Sequence, residues 1–199
     1  MNLPIKKLLI ASGNKGKFLE FSRLLKDLPI TLKPISDRNI KEPIENGADF
    51  FENAEIKARY YYKHYNIASL ADDSGIMIDQ LNGQPGIYSA RWAGANKDFS
   101  VAINKIKEKL LAKKIDLNNV TGSFFCALAL IISEDEIIYA SGKVDGRIIF
   151  PGRGNNGFGY DPIFIPKSSN KTYGEISSDE KEKSSHRSKA IKDLIKKIS

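Results

Sequence analysis

Apolar and polar residues change their spacing several times along the chain. KKLLIAS (6–12) is a short apolar run behind two lysines and predicts a buried first strand. The turn GNKGK (13–17) follows, and Phe18, Phe21, Leu24 and Leu25 then recur on one face, predicting a helix near 16–27. ITLKPI (30–35) predicts a second strand, and ADFFENAEIKARYYYKHY (48–65) an amphipathic helix. IASLADDSG (67–75) predicts a short strand ending in acidic residues and a glycine turn, with IMID (76–79) as a further strand. After Asp98, a residue suited to cap a helix, Val101, Ile103, Ile106 and Leu110 predict a helix over 98–113. TGSFFCALALII (121–132) and IIYASGKVDGRII (137–149), joined by the acidic SEDE, carry the signature of a hairpin. KAIKDLIKKI (189–198) closes as a basic amphipathic helix. Early alternation of strands and helices with a late hairpin predicts a mixed α/β sheet rather than a purely parallel one.

A chain of 199 residues, 41% hydrophobic and 28% charged, suits one substantial core, and the absence of repeats or long linkers points to a single domain over 1–199. No apolar run is long enough to span a bilayer, and MNLPIKKLLIASGNKGK lacks the features of a signal peptide. Cys126 is the one cysteine, which excludes an internal disulfide framework; it reads as a core side chain, and a cytoplasmic location is expected. The charge of +7, from 31 Lys and Arg against 24 Asp and Glu, suits polyanions such as nucleotide phosphates or nucleic acid. Scattered lysines are equally what an Ile-, Lys- and Asn-rich composition produces without function.

Chemistry changes the picture at four places. SGNKGK (12–17) puts a glycine turn between strand and helix, where backbone N–H groups and the positive end of the helix dipole favour an anion, with Lys15 and Lys17 adding charge. It is not a P-loop, since two residues rather than four separate Gly13 from Gly16. In ADDSG (71–75) adjacent carboxylates repel, raising the pKa of the first unless a cation intervenes; Mg²⁺ would relieve this, and a carboxylate beside it can accept a proton from water. An Asp-rich turn capping its own backbone is the plainer reading. In the helix 48–65, Asn53 and Lys57 share a face that would suit a phosphate, and Glu42 or Glu45 on the preceding loop could reach a metal. In GFGYDPIF (157–164), Phe158 on a glycine-flanked loop could stack on a base, with His186 and Arg187 as donors to its edge.

In order along the chain, SGNKGK, ENGADFFENAEIKA (45–58), ADDSG, LNGQPGIYSARWAG (81–94), GFGYDPIF and SHRSKA (185–190) resemble the inosine triphosphate pyrophosphatases. The resemblance implies a mixed α/β fold in which a long central sheet with flanking helices forms two lobes around an active-site cleft, usually in a homodimer. It implies Mg²⁺-dependent cleavage of ITP, dITP and XTP to the monophosphate and pyrophosphate. By that resemblance Ser12, Gly13, Asn14, Lys15, Gly16, Lys17 and Lys57 hold the triphosphate. Asp73 and Glu45 bind the metal, and Asp73 also accepts the proton. Ser74 touches the nucleotide, while Phe158, Gly159, Tyr160, Asp161, Lys181, His186 and Arg187 line the base and ribose end. Hypoxanthine and xanthine carry a carbonyl where adenine carries an amino donor, so donors such as Arg187 would discriminate between them.

Some residues depart from the family's usual pattern. Ser12 stands where Thr is frequent, Asn46 where Thr is common, Ile44 where a second acid often precedes Glu45, and Trp92 where tyrosine is usual. Lys181 is assigned by counting five residues back from His186, with Lys183 as the other candidate. A pyrophosphatase acting on modified pyrimidine or other damaged nucleotides is the alternative within enzymes. A nucleic-acid-binding module built on Phe158, Tyr160 and the lysines would leave the ADDSG acids unexplained, because carboxylates repel phosphates. The expected partners are therefore a nucleoside triphosphate and a second copy of the chain, not nucleic acid or a membrane.

Overall fold

The computed structural model describes residues 5–36 and 40–198. In chain order the elements are β1 (Lys7–Ile10), α1 (Lys15–Leu24), β2 (Thr31–Pro34), α2 (Phe50–Tyr65), β3 (Ser69–Ile78), α3 (Phe99–Ala112), β4 (Thr121–Ile131), β5 (Ile137–Ile148), β6 (Phe164–Pro166), α4 (Ser178–Glu182) and α5 (His186–Ile198). The six strands form one sheet in the order β2-β1-β3-β4-β5-β6. β1 runs parallel to β2 and β3, with Leu9 opposite Ser69, whereas β5 and β6 are antiparallel, with Ile148 opposite Phe164. The sheet is mixed, as the order of patterns predicts.

The chain divides into two compact units, one comprising Met1–Asp73, Cys126–Gly142 and Arg187–Ser199, the other Ser74–Phe125 and Lys143–His186. In the first unit, strand residues alternate between two apolar clusters because successive side chains leave opposite faces of a strand. Leu8, Ile10, Leu70, Cys126 and Leu128 pack with Phe21 of α1 and with Ala190, Ile191 and Leu194 of α5. Leu9, Ala11, Ala71, Ala129 and Ile131 pack instead with Ala54, Ala58 and Tyr61 of α2. Strands covered on both faces read as unbroken apolar runs, which is why CALALI shows no alternation. Cys126 is a buried core residue, and burial pushes its thiol up to about 12.

The second unit has one core, in which Ala102, Ile106 and Leu110 of α3 meet Ile76, Ile78, Phe124, Ile148, Tyr160 and Phe164. Asp98 caps α3 as expected, its Oδ1 accepting from the Ser100 N–H at 2.9 Å. Val101, placed on the apolar face by its spacing, is instead 53% exposed. Ala102, Ile106 and Leu110 recur every four residues and define the buried stripe, and at 100° per residue Val101 falls well away from it.

The larger correction concerns ADDSG. It is not a turn, and IMID is not a separate strand: β3 runs without interruption from Ser69 to Ile78. Asp72 and Asp73 are buried within it. Paired acids followed by glycine have the composition of a turn, yet a strand can carry them where each charge finds its own partner. Both acids do.

Candidate active site

Because Asp72 and Asp73 are neighbours on β3, the pleat sends their side chains to opposite faces. Asp72 follows Leu70 toward α1 and α5. There Asp72 Oδ2 meets Lys17 Nζ at 2.9 Å and Arg187 Nη2 at 3.0 Å. Arg187, the first residue of α5 inside this unit, also donates through Nη1 to Glu20 of α1. Asp72 and Arg187 are almost wholly excluded from solvent. Burial opposes charge on the Asp72 carboxylate, but Lys17 and Arg187 outweigh it and hold the group well below the usual carboxylate range. Burial likewise opposes the Arg187 charge, and Asp72 and Glu20 more than restore it.

Lys17 is positioned by the turn before α1. Asn14 is the N-cap, its Oδ1 accepting from the N–H groups of Gly16 at 2.8 Å and Lys17 at 3.2 Å, while Ser12 Oγ accepts from Asn14 N–H at 3.2 Å. The expectation that this turn offers its N–H groups openly is therefore corrected at Gly16 and Lys17, where an Asn side chain already satisfies them. Gly13, Asn14 and Lys15 are exposed, and Ser12, Gly16 and Lys17 are partly so.

Asp73 follows Ala71 to the other face, toward α2. Asn53 Nδ2 donates to Asp73 Oδ2 at 3.2 Å, and Asn53 Oδ1 accepts from Gly47 N–H at 2.9 Å. One turn further on, Lys57 Nζ lies 2.7 Å from Glu45 Oε1 and 3.5 Å from Asp73 Oδ1. The start of α2 is fixed by reciprocal capping: Asp49 Oδ1 accepts from Glu52 N–H at 2.9 Å, and Glu52 Oε2 from Ala48 N–H at 2.7 Å. A Cβ on Gly47 would stand 2.8 Å from the Asn53 backbone nitrogen, so glycine is what lets the loop bearing Glu45 approach this helix end.

Burial raises the Asp73 carboxyl; Lys57 and Lys17 pull it down, while Glu45 and Asp72 push with burial, and the net direction is upward. Lys57 is itself raised: burial works against its charge, and Asp73, Glu45 and Asp72 more than offset that. Two adjacent aspartates thus differ in kind. The first is a fixed anion, and the second is a carboxylate tuned toward accepting a proton. The exception allowed for the first acid, an intervening cation, is the case here, because Lys17 and Arg187 reach it directly.

Asp73 and Glu45 already share one cation, the Lys57 ammonium, which shows that the pair draws positive charge. Among the described residues, no group of three or more His, Cys, Asp or Glu could hold a metal. Two carboxylates nevertheless fit Mg²⁺, which commonly takes one or two from protein and completes its shell with water and substrate phosphate.

The remaining predicted residues belong to the second unit. Ser74 is partly exposed, next along β3. Phe158 is 38% exposed on a loop whose flanking Gly157 and Gly159 have φ of +74° and +68°. Lys181 is buried, its Nζ 2.7 Å from Asp161 Oδ2 and 4.7 Å from the Phe158 ring centroid, whereas Lys183 is exposed. His186 stacks on Phe124, with ring centroids 4.8 Å apart and planes at 9°. The Tyr160 ring is a core element: its hydroxyl donates to the Ser89 carbonyl at 2.8 Å, and burial pushes it far up.

Sequence reasoning did not single out Asp72 as the hub of an ion cluster or Glu20 as a member of it. Glu20 lies three residues after Lys17, a helical spacing that could have suggested a shared face. The helical spacing pairs Asn53 with Lys57 on a face suited to phosphate, and in the structure Asn53 links Asp73 to Gly47.

Residues 8–197 match the Ham1 family. A dITP/XTP pyrophosphatase of Bacillus subtilis is 44% identical over 193 residues, covering 96% of each chain. One of Zymomonas mobilis is 39% identical over 189 residues, 95% of this chain and 90% of that one. Among solved structures, a HAM1 protein from Coxiella burnetii is similar with a TM-score of 0.88 and 37% identity, covering 98% of both chains.

Proposed function

The chain belongs to the Ham1 family, and from that premise we propose that it hydrolyses deaminated purine nucleoside triphosphates, namely ITP, dITP and XTP, to the monophosphate and pyrophosphate. The observation that carries the reading beyond likeness is Asp73, a buried carboxylate pushed upward while held by Asn53 and Lys57. A general base works best with a pKa drawn toward the working pH, and the Asn53 amide fixes the direction in which Asp73 presents its oxygens.

In this mechanism Asp73 takes a proton from the water that attacks the α-phosphorus. Lys57 and Lys17 change partners, from carboxylate to phosphate, as the triphosphate binds and charge gathers on the leaving pyrophosphate. Ser12, Gly13, Asn14, Lys15 and Gly16 surround the phosphates; Arg187, expected at the base edge, is buried with its terminal nitrogens on Asp72 and Glu20, and it acts instead through Asp72 by keeping that acid ionised and Lys17 in place. Asp73 and Glu45 would hold Mg²⁺, whose chemistry when bound is to offset triphosphate charge. Phe158 stacks on the purine with Gly159 at its side, Lys181 and His186 address the base, and Ser74 touches the nucleotide. Asp161 and Tyr160 support this end from beneath. A site that donates hydrogen bonds to a purine carbonyl can reject an amino-bearing base by about 10⁴-fold. Two copies of the chain assemble as a homodimer, and the enzyme works in the cytoplasm on the nucleotide pool; among the described residues no helix is long and apolar enough to cross a membrane.

The test is product analysis. With Mg²⁺, ITP should yield IMP and pyrophosphate in equal amounts while ATP and GTP remain nearly inert, and the activity should vanish with a chelator. Release of inorganic phosphate and a nucleoside diphosphate, or no turnover of any purine triphosphate, would overturn the reading. Light scattering would settle the dimer.

A further inference from the structure

We propose that Asp161 is a positioning residue for base recognition, a single carboxylate oxygen setting both the loop that carries Phe158 and the ammonium of Lys181; this rests on the reading just given. Asp161 Oδ2 accepts from the Phe158 N–H at 2.8 Å and from Lys181 Nζ at 2.7 Å. The Asp161 and Lys181 side chains are 2% and 6% exposed, so their ion pair is shielded from bulk water, and the Phe158 bond is part-buried. The turn is closed a second time by Asp161 N–H donating to the Phe158 carbonyl at 3.3 Å. It is anchored beneath by Gly174 N–H donating to the Asp161 carbonyl at 3.0 Å.

Gly157 is built around this contact. Its φ is +74°, and a Cβ there would lie 2.1 Å from Asp161 Oδ2, so the residue that admits the left-handed backbone also makes room for the carboxylate. Lys181, drawn to the same oxygen, stands 4.7 Å from the Phe158 ring centroid and 5.5 Å from that of Tyr173. A lysine alone is a point charge on a flexible stem. Held by Asp161 and bounded by two rings, it becomes a charge at a fixed place beside the surface on which a base would lie. The aromatic ring and the cation are thus set by one group.

Asp161→Asn weakens the acceptor for the Phe158 N–H, an amide oxygen standing in for a carboxylate, and removes the charge that holds Lys181. For this variant of the full chain, KM for ITP should rise roughly 10- to 100-fold. kcat should change less, the pH profile of kcat should stay put, and the ITP-to-ATP ratio of kcat/KM should fall. Amide hydrogen exchange at Phe158 should accelerate. The double variant Asp161→Asn/Lys181→Gln removes the buried unpaired charge and should recover thermal stability without recovering the ITP-to-ATP ratio. A single variant with unchanged KM, ratio and exchange, or a double variant that regains the ratio, would overturn the proposal and leave the pair as charge balance alone. If the wild-type chain did not cleave ITP, the functional reading would fall first; unchanged Phe158 exchange in Asp161→Asn would still sink the tether by itself.

Discussion

The two faces of β3 present the same side chain to opposite surroundings. Toward α1 and α5, Asp72 is met by Lys17 and Arg187 at 2.9 and 3.0 Å, and its charge is locked in. Toward α2, Asp73 has, among the described residues, one ammonium at 3.5 Å and an amide at 3.2 Å, with Glu45 repelling it nearby. The difference lies in the number of cations within reach against similar burial, not in the sequence position or the acid. A strand that alternates can therefore place a structural anion and a proton acceptor on consecutive residues.

Breaking the acceptor should have the largest effect. Asp73→Asn keeps the contact with Lys57 through an amide oxygen but cannot take a proton, and kcat for ITP should fall about 10²- to 10⁴-fold with the fold intact. Steady-state kinetics beside a melting curve checks both halves.

Breaking the anion should act on stability instead. Asp72→Asn leaves Arg187 and Lys17 without their shared carboxylate, and unfolding free energy should drop by about 3–5 kcal/mol, as when one partner of a buried pair is removed. The sign with pH follows from the lowered carboxyl. Its contribution is present above the unfolded value of about 3.9 and is lost as pH falls through the folded one. Denaturant melts of wild type and Asp72→Asn should therefore converge in acid.

Gly47→Ala sharpens the α2 side without touching either acid. Its Cβ would press on the Asn53 backbone nitrogen, and the shift should cost about 1–3 kcal/mol and loosen Asp73 by way of Asn53. The smallest effect is a displacement. In the ligand-free protein Lys57→Met removes the nearest cation that lowers Asp73, so the Asp73 carboxyl should titrate at higher pH than in wild type, as read by carboxyl NMR.

Much of this frame is legible in the sequence. Asp98 announces α3, the alternation of strand and helix announces a mixed sheet, and the ordered motifs announce the family. The pieces that escape do so for identifiable reasons. β6 and α4 span Phe164–Pro166 and Ser178–Glu182, too short for a period to show. α5 begins at His186, three residues before the apolar pattern of KAIKDLIKKI, because its first turn is packed by polar residues that read as loop. ADDSG reads as a turn because local chemistry cannot reveal that Arg187, 115 residues further along, neutralises Asp72 within a strand. At the site, the sequence names Lys57, Asp73 and Glu45 but not their mutual ion pairs, nor that Asn14 caps its own helix and Tyr160 is turned into the core, since each depends on contacts with residues distant in the chain or on local capping geometry.

The most direct test is an NMR titration of the metal-free protein with ¹³C-labelled aspartate carboxyls, assigned through Asp72→Asn and Asp73→Asn. Asp73 should titrate above the ordinary aspartate value, while Asp72 remains ionised down to the acid at which the fold is lost. An Asp72 that takes up its proton before Asp73 would contradict the division of roles across β3.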